Sequence, residues 1–369
     1  MALIKVIMLL FLAGIIMALE VITTSAKQSS IPSEQSKLDD WIDHNMRAYE
    51  KDKTVLSEII NNELTLDKAL TAAEHAVRVV KVSQDGKGDF NTITDAVNSI
   101  PSGNTGRVVV WISGGVYREH IMIDRTKPFV TLYGDEDNVP VITFDGTAEK
   151  FGTWNSATVA VESDYFVAAN IQFVNSSPLP KGKLNGEQAV AMRISGDKAA
   201  FHNCKFVGFQ DTLCDDKGRH FFRDCYNTTI KSVATLTGVI TAQARAKVSE
   251  KSGFTFVHCN IIASGDTYLG RAWKDMPRVI FAYTYMGNNI DANGWSNGMW
   301  PIEAQGDNNK DVFYGEYKCM GPGASTSKRV KYAKILSDEE IKPFMSMTFI
   351  QGNKWLIQPP NLKRSTQKL

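Results

Sequence analysis

Metal-ligating clusters are missing from this sequence. Its five cysteines (Cys204, Cys214, Cys225, Cys259 and Cys319) and six histidines include no pair spaced as zinc or iron ligands are. Neither a metal nor an organic cofactor is therefore expected. An excess of one charge is missing too. The 41 Lys and Arg stand against 40 Asp and Glu, a net +1, which argues against a nucleic-acid binder. Long apolar runs are missing beyond the N-terminus. The single run there, Val6–Ala18 behind Lys5, is about 13 residues, short of the ~20 that cross a bilayer. With its small-residue exit Thr23-Thr24-Ser25-Ala26 it reads as a secretory signal peptide over 1–26. The mature chain is then expected outside the cell and off the membrane, where disulfides are permitted. The odd cysteine count leaves at least one thiol outside any intrachain pairing, and connectivity is not readable. Two sequons, Asn175-Ser176-Ser177 and Asn227-Thr228-Thr229, fit a glycosylated surface.

Residues 27–77 are polar and helix-favouring, with helical spacing over 36–49 and 53–77 and Ser33 as a cap. They read as a short helical extension. From Val79 the texture becomes short β-rich segments punctuated by Gly, Asn and Asp. Strands are expected at 79–82, 107–112, 129–133 and 157–161, and a helix at 89–99. Helical signal then nearly vanishes until 337–344. A loose repeat runs through Tyr165–Phe173, Ala200–Phe206, His220–Tyr226, Phe254–Ile261 and Val279–Tyr285. Each copy has an aromatic residue, a small or polar pair and another apolar residue. Spacings of about 21 to 34 residues suit coils of a parallel β-helix, each of which buries its inward side chains against its neighbours. A β-sandwich would need tight Asn-Gly or Asp-Gly hairpins, which most connections here lack.

The chemistry-bearing stretch is Phe209-Gln210-Asp211-Thr212-Leu213. An amide and a carboxylate stand together at a strand end, where a bend aims both into one cleft. That pair suits ester hydrolysis: an amide N–H for a developing oxyanion, and a carboxyl group for proton transfer. Gln188 precedes Gln210 by 22 positions, about one coil, so the two amides are expected to stack in one groove. Arg271 and Trp273 offer a guanidinium and a ring two residues apart, suited to a sugar carboxylate and a sugar face. Together they point to an acidic polysaccharide.

In their order along the chain, Gly115–Glu119, Thr153–Thr158, Gln188–Ala191, Gln210–Leu213, Gly270–Trp273, Tyr314–Tyr317 and Phe349–Gly352 resemble the plant pectinesterases. The resemblance covers about residues 78 to 358. It implies an all-β, right-handed parallel β-helix over 78–365, acting on methyl-esterified homogalacturonan in the cell wall. It also implies a monomer, with a proteinaceous pectinesterase inhibitor as an expected partner. By resemblance Asp211 is the proton donor, and Gln188 and Gln210 support the oxyanion. Thr153, Gln188, Arg271 and Trp273 hold the substrate, and Arg271 also orients the nucleophile. Gly-Arg-Ala-Trp at 270–273 departs slightly from the more usual Gly-Arg-Pro-Trp.

The larger departure concerns that nucleophile. The family carries it as an aspartate in Asp-Phe-Ile-Phe-Gly, one coil beyond the acid. Here Asp224-Cys225-Tyr226 runs on to family-like sequence at Val239, and no aspartate occurs between Asp224 and Asp266. Asp224 occupies the repeat position held elsewhere by Asn203 or His258, a structural place. The nucleophile is not found, and nearly a full coil is expected to be missing between Tyr226 and Val239. Three readings follow: an esterase, a pectin-binding homologue without turnover, or the product of a truncated gene. A β-helix lyase or glycosidase would want clustered carboxylates, which do not accompany Gln188, Gln210 and Arg271.

Overall fold

A computed structural model describes residues 31–38, 40–41, 66–178, 186, 188–208, 211–223, 237–250, 252–263, 265–296, 311–347 and 349–357. The segment expected to be a signal peptide, most of the 27–77 extension, Gln210 and the stretch 224–236 lie outside these residues.

The described strands are short and pair in parallel, as a solenoid requires. One sheet stacks Arg78–Val82, Val108–Ile112, Val130–Gly134, Val167–Ala169, Ala199–His202 and His220–Arg223 in that order. A second stacks Ile121–Ile123, Val159–Val161, Met192–Ile194 and Leu213–Asp215. A third stacks Val116–Arg118, Val141–Phe144, Gln172–Asn175 and Lys205–Val207. Each coil thus contributes one strand to each sheet, which is the parallel β-helix. The expected repeat is in register: Phe201 stands beside Ala168 and Phe222.

The corners explain the polar member of the repeat. Asn170, Asn203, His258 and Tyr283 all adopt left-handed backbone, with φ of 58°, 48°, 54° and 50°. Asparagine tolerates that region best among side-chain-bearing residues. The Asn203 Nδ2 donates to Asn170 Oδ1 at 2.9 Å, forming a ladder along the corner. Inside, the core is aromatic and branched. Phe173 stacks on Phe206, and Phe201 on Phe222 with ring centroids 4.6 Å apart. Burying each such ring contributes about 1.5–3 kcal/mol.

Helices are few. Helix α1 (Lys68–Glu74) presses Leu70 and Ala73 into a cluster with Phe129, Trp355 and Leu356. Helix α2 (Ile93–Asn98) is shorter than the expected 89–99, because Thr92 caps it by accepting from the Asp95 N–H. Helix α3 (Ala148–Asn155) is kinked at Gly152, whose φ of 72° and ψ of 155° are open to glycine. The expected helical turn near 337–344 is α4 (Asp338–Ile341), begun by a Ser337–Glu340 capping box.

The described stack is interrupted at one level. Beyond 224–236 the coils resume. Thr237–Gln243 pairs with Asp266–Ala272, while Phe254–Val257 begins a third four-stranded sheet through Arg278–Ala282, Phe313–Tyr317 and Ala333–Ile335. Among the described residues no ladder joins Leu213–Asp215 to Thr237–Gln243, or His220–Arg223 to Phe254–Val257. Residues 224–236 fall at this level, outside the described residues, and Leu213–Asp215 still packs beside Thr237–Gln243.

The sequon at Asn175 requires a correction. Asn175 is 2% exposed. Its Nδ2 donates to the carbonyls of Gly146, Ser156 and Val190 at 2.9, 2.9 and 3.0 Å. A glycan on that nitrogen is incompatible with this fold. Asn227 lies outside the described residues. No disulfide joins the four described cysteines.

Candidate active site

Asp211 sits at the bend between Lys205–Val207 and Leu213–Asp215, with φ of 54°. Its neighbour Thr212 accepts at its carbonyl from the Ala191 and Met192 N–H groups at 2.9 and 3.2 Å. This rung fixes the bend to the coil below. The Asp211 side chain is 2% exposed, and its Oδ2 accepts from Arg271 Nη2 at 2.9 Å. Its Oδ1 is buried with no hydrogen-bond partner among the described residues. A buried carboxylate oxygen without a donor is costly.

Arg271 comes from the far side of the interruption. Asp266–Ala272 places it opposite Ala242, and the ion pair reaches back across the break to Asp211. Trp273 follows directly, held by its N–H donating to the Gln243 carbonyl at 3.2 Å. Its ring packs on Ala157, Ala160, Val190 and Cys214 of the lower stack. It also meets Trp154 edge-on, with ring centroids 5.8 Å apart and planes at 70°.

Gln188 is 7% exposed, and its carbonyl accepts the Ala148 N–H at 2.9 Å. The amide-bearing loop is thereby tied to the start of α3. Thr153 lies on α3 just after the Gly152 kink, and its carbonyl accepts the Ser156 hydroxyl at 2.8 Å. The fold thus brings Asp211, Arg271 and Trp273 together against the second sheet, and it ties the Gln188 backbone to the start of α3, which carries Thr153 and the Trp154 ring that meets Trp273. Gln210 lies outside the described residues.

Three further residues shape this groove. Asn175 holds the carbonyls on both sides of α3 together with that of Val190, so one amide positions the segments carrying Thr153 and Gln188. Arg193 is completely buried and spans Glu162 Oε1, 3.2 Å from Nη1 and Nη2, and the Trp154 ring, 4.1 Å away. That cation fixes the ring that touches Trp273. The signal for Arg193 was available: it is the lone charge in Ala189–Ile194, an otherwise apolar strand. Trp154 stood beside Thr153 in a segment already singled out. Asn175 gave a signal that pointed elsewhere, because its sequon is also what a buried Asn followed by two serines looks like.

Cys204, Cys259 and Cys319 supply no substitute nucleophile. Burial pushes the Cys204 and Cys259 thiols up to about 12 and Cys319 up to about 11, far from the thiolate that attack requires. No cluster of three or more potential metal ligands occurs among the described residues.

A stacked parallel β-helix with a carboxylate–guanidinium–tryptophan groove defines the class as a carbohydrate-active β-helix protein. The sequence pattern of the Pectinesterase family matches this chain over residues 79–231 and again over 227–353. The chain therefore belongs to the pectinesterase family. It is 50% identical over 298 residues to pectinesterase 63 of Arabidopsis thaliana, covering 76% of this chain and 87% of that relative. Pectinesterase 2 of Olea europaea is 41% identical over 367 residues, with 94% of this chain and 96% of the relative covered. Among solved structures, carrot pectin methylesterase aligns with a TM-score of 0.63 at 30% identity, covering 75% of this chain and 94% of that one. A pectin methylesterase mutant in complex with a hexasaccharide gives 0.61 at 26% identity, with 78% and 99% covered.

The matches also carry a difference in length. The family pattern matches in two pieces that meet at 227–231. The Olea alignment runs 367 positions, whereas 94% of 369 residues is about 347, so about 20 positions find no residue here. That is close to one coil.

Proposed function

We propose that this chain is a secreted cell-wall carboxylic ester hydrolase of the pectinesterase type, whose substrate is methyl-esterified homogalacturonan. The reaction replaces the methoxy group of a galacturonate ester with hydroxyl from water and releases methanol. Asp211 hands its proton to the departing methoxy oxygen. The Gln188 and Gln210 amides support the oxyanion, and Thr153, Gln188, Arg271 and Trp273 hold the sugar. The carrying observation is the Asp211–Arg271 pair at 2.9 Å beside Trp273. Acid, cation and ring stand together in a groove whose solved relatives are pectin methylesterases. The β-helix over 78–365 acts as one unit and works as a monomer in the wall, with a proteinaceous inhibitor as a further partner.

A second reading, pectin binding without turnover, is favoured by one feature. Attack on the ester needs an ionised carboxylate in addition to a protonated donor. Among the described residues of the groove, Asp211 is the carboxylate that meets Arg271. Methanol release from methyl-esterified pectin by protein of this sequence, measured alongside pectin affinity, decides between them. Hydrolysis supports the esterase; tight binding with no methanol supports the second reading. Absence of both overturns each.

A further inference from the structure

A second aromatic group lies outside the groove. His120 stacks on Phe144 with ring centroids 4.7 Å apart and planes 6° from parallel. Phe151 closes on both, at 5.5 Å from Phe144 and 6.4 Å from His120. The rings arrive from three separate segments: the turn after Val116–Arg118, the end of Val141–Phe144, and α3. They do not form a core. His120 is exposed, Phe151 is 43% exposed, and α3 buries none of its residues. Rings displayed away from the core contribute little packing, and an exposed aromatic cluster marks a contact surface.

Continuity identifies that ligand. Phe151 sits two residues before Thr153 and three before Trp154, on the same kinked segment. A polysaccharide held at Thr153 and Trp273 continues past α3 along the surface. Flat rings accept the apolar C–H face of a sugar. The exposed charges flanking the three rings, Arg118, Asp145, Glu149 and Lys150, sum to zero, which suits an uncharged methyl ester. We propose that His120, Phe144 and Phe151 form an outlying stacking subsite for a methyl-esterified galacturonate unit several residues along the same pectin chain.

This subsite rests on the pectin reading of the groove, and the test separates the two. Affinities of the purified protein for fully methyl-esterified galacturonan fragments of three and nine units are measured by calorimetry. Variants are Phe151→Leu, which keeps bulk without a flat face, and His120→Asn; retained melting temperature confirms their folding. The expected result is that the ratio of long- to short-fragment affinity falls roughly fivefold in each, the size of one lost stacking contact. Arg271→Ala weakens both fragments together and leaves that ratio intact. An unchanged ratio in both ring variants, with Arg271→Ala still weakening binding, overturns the subsite and spares the groove. Wild-type protein that binds neither fragment overturns both.

Discussion

Replacing Asn175 tests the idea that one buried amide holds the groove together. Its two N–H donors serve three carbonyls, those of Gly146, Ser156 and Val190, within 3.0 Å. Its Oδ1 accepts the Ser177 N–H at 3.0 Å. In Asn175→Ala the Gly146 and Ser156 carbonyls lose this buried donor, while the Val190 carbonyl keeps the Thr158 N–H at 3.0 Å. An orphaned buried acceptor costs about 1–3 kcal/mol, and with two donor hydrogens shared among three acceptors the loss is about 2–4 kcal/mol. Asn175→Asp is no better at neutral pH, because it turns a carboxylate toward three carbonyl oxygens. Burial raises such a carboxyl's pKa, so stability is lost at high pH and regained as pH falls and the group protonates. Urea unfolding at pH 7 and pH 4.5 measures both effects. An Asp variant within about 0.5 kcal/mol of wild type at pH 7, or a mature protein carrying a glycan on Asn175 by peptide mass spectrometry, would refute the reasoning.

Three other outcomes are expected. Arg271→Ala leaves Asp211 buried without its cation and costs about 3–5 kcal/mol; adding Asp211→Asn restores part of that in a double-mutant cycle by thermal melting. Inserting a family coil that carries Asp-Phe-Ile-Phe-Gly between Tyr226 and Val239 raises methanol release by at least ~10³-fold, since removing a covalent nucleophile typically costs more than that. An insert without its aspartate raises melting temperature alone. Partial desolvation beneath the stacked rings, then the nearby positive Arg193, lowers the His120 pKa below 6.5. The neutral ring's contribution is therefore complete above pH 6.5 and is lost as pH falls through the lower folded value; a proton-resolved NMR titration reads that value, and one at or above 6.5 contradicts it.

The coil architecture was legible because its repeat is written in residues the geometry demands. Aromatic residues fill the interior, and Asn170, Asn203 and His258 take the left-handed corners. Strands at 79–82 and 107–112 fell within a residue of Arg78–Val82 and Val108–Ile112. Arg271, Trp273 and Asp211 were legible as a set, and the groove gathers them. What was not legible depends on contacts far apart in sequence. Asn175 reaches carbonyls 15 to 29 residues away, so its local neighbours Ser176 and Ser177 pointed to a sugar acceptor instead. Arg193 and Trp154 are 39 positions apart, and nothing local marks a cation as the support of a ring. The extended helix expected over 53–77 is described only as Lys68–Glu74; the chain must leave the helix there to begin the first strand at Arg78.

The groove also has a mechanical meaning. A solenoid is held by contacts between neighbouring coils, and around 224–236 side chains supply some of them. Asp211–Arg271, Trp154–Trp273 and the tail contact of Arg219 with Gln351 bridge the level. The lower half supplies the acid and the amide, and the upper half supplies the cation and the tryptophan. A pectin chain lying along the groove touches both. A pectin chain bound at Asp211, Arg271 and Trp273 would therefore brace strands that precede and follow 224–236.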